Sequence, residues 1–195
     1  MNTNHPLIIW AAEQATTLLA ATGNRWLHVQ GVVRQAQRIA FILAEDEQPY
    51  LIAAAYLHDI GYAPALKQTG FHPLDGAHYL YACGHSRLAA LVAHHSGARF
   101  EAALRGYGAA LSRFPREETA VADALTYCDM TTSPTGERVT FEARISDILE
   151  RHGETSSVAE ATRQAMPLLS LAVWRTQHFL IYDYKQFHLN ETKYA

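Results

Sequence analysis

The stretch Leu51-Ile-Ala-Ala-Ala-Tyr-Leu-His-Asp59 decides how this chain is read. Seven residues that favour burial run straight into an imidazole and a carboxylate, and Gly61 and Pro64 then end the helix. Left unpaired beside a buried segment, His58 and Asp59 would be costly. A divalent cation is the economical partner, because imidazole nitrogen and carboxylate oxygen are common metal donors. Four more donors lie around the pair in order: His28 upstream, then His72, His94 and Asp129 downstream. Six groups suffice for two ions, with positions left for water and substrate. An enzyme is therefore the leading reading.

Around that stretch the pattern is helical almost throughout. Segment 6–21 starts at Pro6, suited to a first turn, and stops at Gly23-Asn24. Segment 25–46 carries His28, Val32, Ala36, Ile39 and Leu43 at spacings of three and four, which turns His28 inward with the apolar residues. Further helices are expected over 50–59, 73–82, 87–95 (with Ser86 as its cap), 117–129, 139–151 and 156–182. Residues 98–115 lack periodicity and read as loop with a short helix near 100–105. No segment alternates as a strand would, and no repeat is visible. The fold class is all-α, a single bundle of seven or eight helices over 1–155, with a C-terminal helical extension over 156–195.

Composition narrows the function. With 195 residues, 49% of them hydrophobic, the chain can bury a proper core. A net charge of -3 and no Lys/Arg run argue against a nucleic-acid partner. No apolar segment approaches the length of a membrane span, and the N-terminus lacks a basic signal region, so a cytoplasmic location is expected. Cys83 and Cys128 are too far apart for a CxxC motif and read as reduced thiols.

Taken singly, each donor has an ordinary alternative. His28 suits a hydrogen-bonded core histidine, His72 a residue ahead of the helix-starting Pro73, and Asp129 a helix-end cap. Yet Asp59 and Asp129 both sit at helix C-termini, where the dipole disfavours a carboxylate. No Lys or Arg lies within four residues of either. A metal would account for both.

Five segments carry a resemblance. They are Arg25-Trp-Leu-His28-Val-Gln-Gly31-Val32, the His58-Asp59 doublet, His72-Pro-Leu-Asp-Gly76-Ala77-His-Tyr-Leu80, His94-His95-Ser96-Gly97, and Tyr127-Cys-Asp129 with Pro134. Together, over about 24–135, they resemble the HD superfamily of metal-dependent phosphohydrolases. In order and context they are most similar to bacterial HD-type enzymes that split diadenosine tetraphosphate symmetrically. The resemblance implies an HD-domain bundle whose metal ligands are His28, His58, Asp59, His72, His94 and Asp129, with Asp59 bridging and catalytic. Periodicity alone lets either His94 or His95 face inward; the resemblance favours His94 and leaves His95 a substrate contact or structural. Many two-metal relatives carry a lysine three residues after the HD aspartate, where this chain has Tyr62. Lys67, Arg99 and Arg105 are the nearby cations that could replace it, Arg99 foremost.

The chemistry implied is hydrolysis of a phosphate ester or nucleotide phosphoanhydride by a metal-bound hydroxide, with two divalent ions. Iron or manganese is favoured, and zinc, nickel, cobalt or magnesium would also fit. Two alternatives use the same scaffold: a mixed-valent diiron oxygenase, and a non-catalytic nucleotide-binding HD module. The expected partner is a small phosphorylated substrate, a nucleotide among the candidates, with neither nucleic acid nor membrane. Leu168, Leu169, Leu171, Val173, Trp174 and Phe179 suit packing on the bundle or a homodimer interface.

Overall fold

A computed structural model describes residues 4–191, with side chains described through residue 182. Residues 192–195 of the predicted C-terminal extension lie outside the described residues. The architecture is all-α, as the periodicity predicts: ten α-helices joined by tight turns, with one isolated bridge between Thr132 and Arg138 in place of any strand among the described residues.

At the centre lies α3 (Gln48–Leu57). Leu51, Ile52, Ala53, Ala54, Ala55 and Leu57 are all fully buried, because neighbours cover this helix from every side. Its three successive alanines keep the helix thin, so α1 (Pro6–Leu19), α2 (Asn24–Ile39), α5 (Ser86–His94) and α8 (Ala120–Met130) can all pack on it. Burying Leu51, Ile52 and Leu57 contributes about 2 kcal/mol each. The stripe His28, Val32, Ala36, Ile39 and Leu43 is buried as read from the sequence.

Between these lie α4 (His72–Ala82), with Pro73 in its first turn, and the short helices α6 (Ala98–Leu104) and α7 (Gly108–Leu111). α6 is the short helix expected near 100–105, whereas α7 falls where loop was expected; it is too short to show a period, and packing alone holds it. α8 starts at Ala120 rather than at residue 117. Thr119 accepts the Ala122 amide as its cap, while Glu117 lies ahead of the helix and is drawn to Arg87 at 2.9 Å. Ser86 is likewise the first helical residue and does not cap α5. Thr140 caps α9 (Phe141–His152), and Ser156 accepts the Ala159 amide ahead of α10 (Ser157–Glu191).

The first half of α10 buries Ala159, Ala165, Leu169, Ala172 and Val173 against α6, α8 and α9. Further along, Trp174, Phe179, Ile181 and Tyr182 are exposed. No helix among the described residues is long and apolar enough to cross a membrane.

Candidate metal centre

Two close approaches of backbone set the site. Gly61 faces α4 so tightly that a Cβ there would lie 2.0 Å from the His72 carbonyl oxygen and 2.7 Å from the Gly76 amide. Only a residue without a side chain lets the turn after His58-Asp59 touch the start of α4, and this contact brings His72 to Asp59. On the other side Gly31 of α2 meets Gly136, where a Cβ would stand 2.5 Å from the Gly136 carbonyl oxygen. That crossing locks α2 onto the loop after α8 and brings His28 to Asp129.

The side chains converge in two groups of three, each with its donor atoms within 4.8 Å of one another: His28, His58 and Asp129, and Asp59, His72 and His95. Asp59 lies between the groups. Its Oδ2 is 3.3 Å from His58 Nε2 and 3.8 Å from His28 Nε2; its Oδ1 is 3.3 Å from His72 Nε2 and 3.9 Å from His95 Nε2. His28 Nε2 and Asp129 Oδ1 are 3.0 Å apart.

Three imidazoles are held from behind. Nδ1 of His28 faces the Ser133 carbonyl at 3.0 Å, that of His58 the Ala55 carbonyl at 2.9 Å, and that of His95 the Val92 carbonyl at 2.6 Å. With Nδ1–H donated to a carbonyl, each imidazole turns its Nε2 to the cluster, where a proton or a metal ion can be held. These Nε2 atoms face carboxylate oxygens, and His72 Nε2 and His95 Nε2 lie 3.3 Å apart. His58 Nε2 is fully buried with no hydrogen-bond partner. Such an arrangement calls for positive charge at its centre, and the donor set fits divalent metal.

The electrostatics agree. Burial alone would raise both carboxyls. Instead Arg25 and His58 hold Asp59, and the His28 hydrogen bond with the charges of His58 and Arg144 holds Asp129, well below the usual carboxylate range. Burial would depress His58, but the Asp59 and Asp129 carboxylates outweigh it and raise it. Burial and the neighbouring His72 and His58 push His95 down to about 4, which keeps its lone pair available.

Six donors come together, but one is not the residue expected. His94 points away, with its Nε2 on the Phe114 carbonyl at 2.8 Å, and His95 takes the place in the cluster. The reason is local: α5 ends at His94, and His95 is extended (φ -56°, ψ 147°), so helical periodicity no longer applies. Ser96 follows in the left-handed region (φ 46°), the only non-glycine there among the described residues, and its hydroxyl donates to Asp129. The cations expected to replace the missing lysine also differ. Lys67 is exposed and lines no part of the site cavity; Arg99 is exposed, lies over Phe100, and lines a separate cavity with His94. Arg105 reaches the cavity but is engaged by Glu101 at 2.9 Å and the Gly70 carbonyl at 3.0 Å.

The cation beside Asp59 is Arg25. It pairs with Asp59, and its guanidinium carbon lies 4.0 Å from the centre of the Tyr62 ring. Tyr62 in turn stacks on His72 at 4.1 Å. Partial burial and the Asp59 charge push the Tyr62 phenol up to about 12, so it remains a neutral donor. Arg25 was missed although it lies one turn before His28 on the same helix, a spacing that places both on one face. The buried Arg144, 3.8 Å from Asp129, was missed as well. Both carboxylates therefore have a cation from a distant segment, so the case for metal rests on the converging imidazoles rather than on unneutralised acids. Of the aromatics near the motifs, Phe71 is fully buried and stacked on Tyr107, and Phe100 is half-buried, leaving Tyr62 at the cavity. The cavity over the cluster measures about 280 Å³.

The fold and cluster define an all-α protein with a buried histidine–carboxylate centre suited to divalent metal. The family model described as HD domain matches residues 25–145, well over half of the chain, and the chain belongs to that family. Comparison with curated proteins and with solved structures gives no significant match.

Proposed function

We propose that this chain is a cytoplasmic metal-dependent phosphohydrolase acting on a small phosphate ester or nucleotide phosphoanhydride. The observation that carries the reading is Asp59, whose two oxygens each face a separate histidine group while Arg25 pairs with the same carboxylate. His28, His58 and Asp129 would hold one ion, and His72 and His95 a second, with Asp59 shared. Divalent ions in such a donor set lower the pKa of a coordinated water towards neutrality and take up charge on phosphoryl oxygens.

The chain's own groups do the rest. Asp59 orients the attacking water. The Arg25 guanidinium, fixed by Asp59 and Tyr62, offers donors to a phosphoryl oxygen as charge builds there. The Tyr62 phenol, held neutral, donates a hydrogen bond at the cavity mouth. Ligand pockets typically span about 300–1,000 Å³, so a cavity of about 280 Å³ favours a small substrate over a dinucleoside tetraphosphate.

The test is elemental analysis of protein purified without chelator, followed by a phosphate-ester panel with iron and with manganese. Metal near two equivalents and hydrolysis abolished by Asp59→Ala is the expected result. Absence of metal, or full activity of the variant, would overturn it. Iron with a mixed-valence EPR signal and O₂ consumption would instead identify an oxygenase on the same donors. Full metal occupancy with no turnover of any ester would identify a binding module. The exposed Trp174, Phe179, Ile181 and Tyr182 of α10 support a homodimer, tested by sedimentation.

A further inference from the structure

Beside the main cavity lies a smaller one of about 150 Å³, lined by Asn24, Arg25, His28, Pro134, Arg144 and Arg151. Three of those six residues are arginines and none is a carboxylate. Arg25, Arg144 and Arg151 also line the main cavity, so the two spaces share one wall. We propose that Arg144 and Arg151, together with Arg25, form a second anion subsite, so that the substrate carries two anionic groups: a phosphoryl group at the metal cluster and a further phosphate or carboxylate here.

Arg144 is 7% exposed and under-used. Its Nη1 donates to Asp147 at 2.9 Å, its Nη2 stops 3.8 Å from Asp129, and its Nε has no hydrogen-bond partner. A buried guanidinium with idle donors is expensive unless something completes it. Arg151, one helical turn after Asp147, makes two bonds of 2.9 Å to that same carboxylate. One acid thus serves two guanidiniums, and the other carboxylate that Arg144 faces, Asp129, stays at 3.8 Å, beyond hydrogen-bond reach. Paired arginines in a cleft match the planar, two-oxygen edge of phosphate or carboxylate. The end of α9 thereby acquires a role that the cluster of histidines and carboxylates does not give it.

The proposal rests on the phosphohydrolase reading only in taking the cluster as the reacting centre, and binding tests the two apart. Methylphosphonate, methylenediphosphonate and phosphonoacetate are titrated calorimetrically into manganese-loaded protein, with metal content measured afterwards. Wild type should bind one or both of the two-headed probes about tenfold more tightly than methylphosphonate. Which probe gains identifies the second group as phosphate or carboxylate. Arg151→Gln should remove that gain and Arg151→Lys should restore part of it. Arg151 is partly exposed at the end of α9, so the variants should fold. No gain in wild type, or an equal gain in Arg151→Gln, overturns the subsite. A gain that Arg151→Gln removes, in a protein that hydrolyses no ester, supports the subsite and sinks the reaction class instead.

Discussion

The Arg25 guanidinium lies over the Tyr62 ring at 4.0 Å and pairs with Asp59, joining two segments 34 residues apart in sequence at the mouth of the cluster. A lysine at position 62 would bring its own charge on a flexible stem. Here the aromatic ring instead positions a charge borrowed from α2. Arg25→Gln should therefore lower kcat by about 10²–10³ with metal retained, since it removes a donor aimed at developing charge. Arg25→Lys should recover part of the loss. Steady-state kinetics alongside metal analysis decides it; a variant with wild-type kcat would remove Arg25 from the reaction.

His94 and His95 are adjacent but differently used. His95→Ala should lose about one equivalent of metal together with most activity, as loss of one of three donors does. His94→Ala should keep its metal, because its Nε2 faces the Phe114 carbonyl. The reverse outcome would mean that the end of α5 is arranged otherwise in the working protein.

What the sequence revealed, and what it hid, follows from the range of the forces involved. The stripe on α2 and the apolar run of α3 state their burial in local periodicity, so the helices and the inward His28 were readable. Five of the six clustered residues were read as donors from sequence, and the sixth, His95, was read as a substrate contact or structural. Periodicity could not choose between His94 and His95 because the chain leaves helical geometry at His95, and the left-handed Ser96 carries no sequence signature. Arg144 is 119 residues from Arg25 in the chain, and nothing local announces that α9 reaches the cluster. Charge compensation across such distances belongs to tertiary packing.

Gly61 has no room for a side chain. Gly61→Ala would place a methyl group 2.0 Å from the His72 carbonyl oxygen, and the nearest atoms it would strike are all backbone of α4. The turn and α4 would have to separate, displacing His72 from Asp59. A loss of about 2–4 kcal/mol is expected in urea unfolding of metal-free protein, together with weaker metal binding. Unchanged stability would mean that α4 can shift freely, and the role given to this glycine would fall.

Far from the site, Arg87 on α5 ties the start of α3 to the segment before α8. It bonds Glu47 and Glu117, with distances of 2.9 Å to each, and also lies 4.3 Å from the Tyr50 ring centre. The hydrogen bond from Arg87 lowers the Glu47 carboxyl, with partial burial opposing and the Arg87 charge assisting. A depressed carboxyl stabilises the folded state fully above its unfolded pKa, about 4.3, and that contribution is lost as pH falls through the lower folded value. Arg87→Ala should cost about 1 kcal/mol at pH 7 and low salt, since the groups are partly solvated and screened. The difference from wild type should shrink steadily below about pH 4 as Glu47 takes up its proton. Urea unfolding of both proteins at pH 7 and pH 3 provides the measurement. A gap that stays constant would assign the stabilisation to the Tyr50 contact, which no proton weakens.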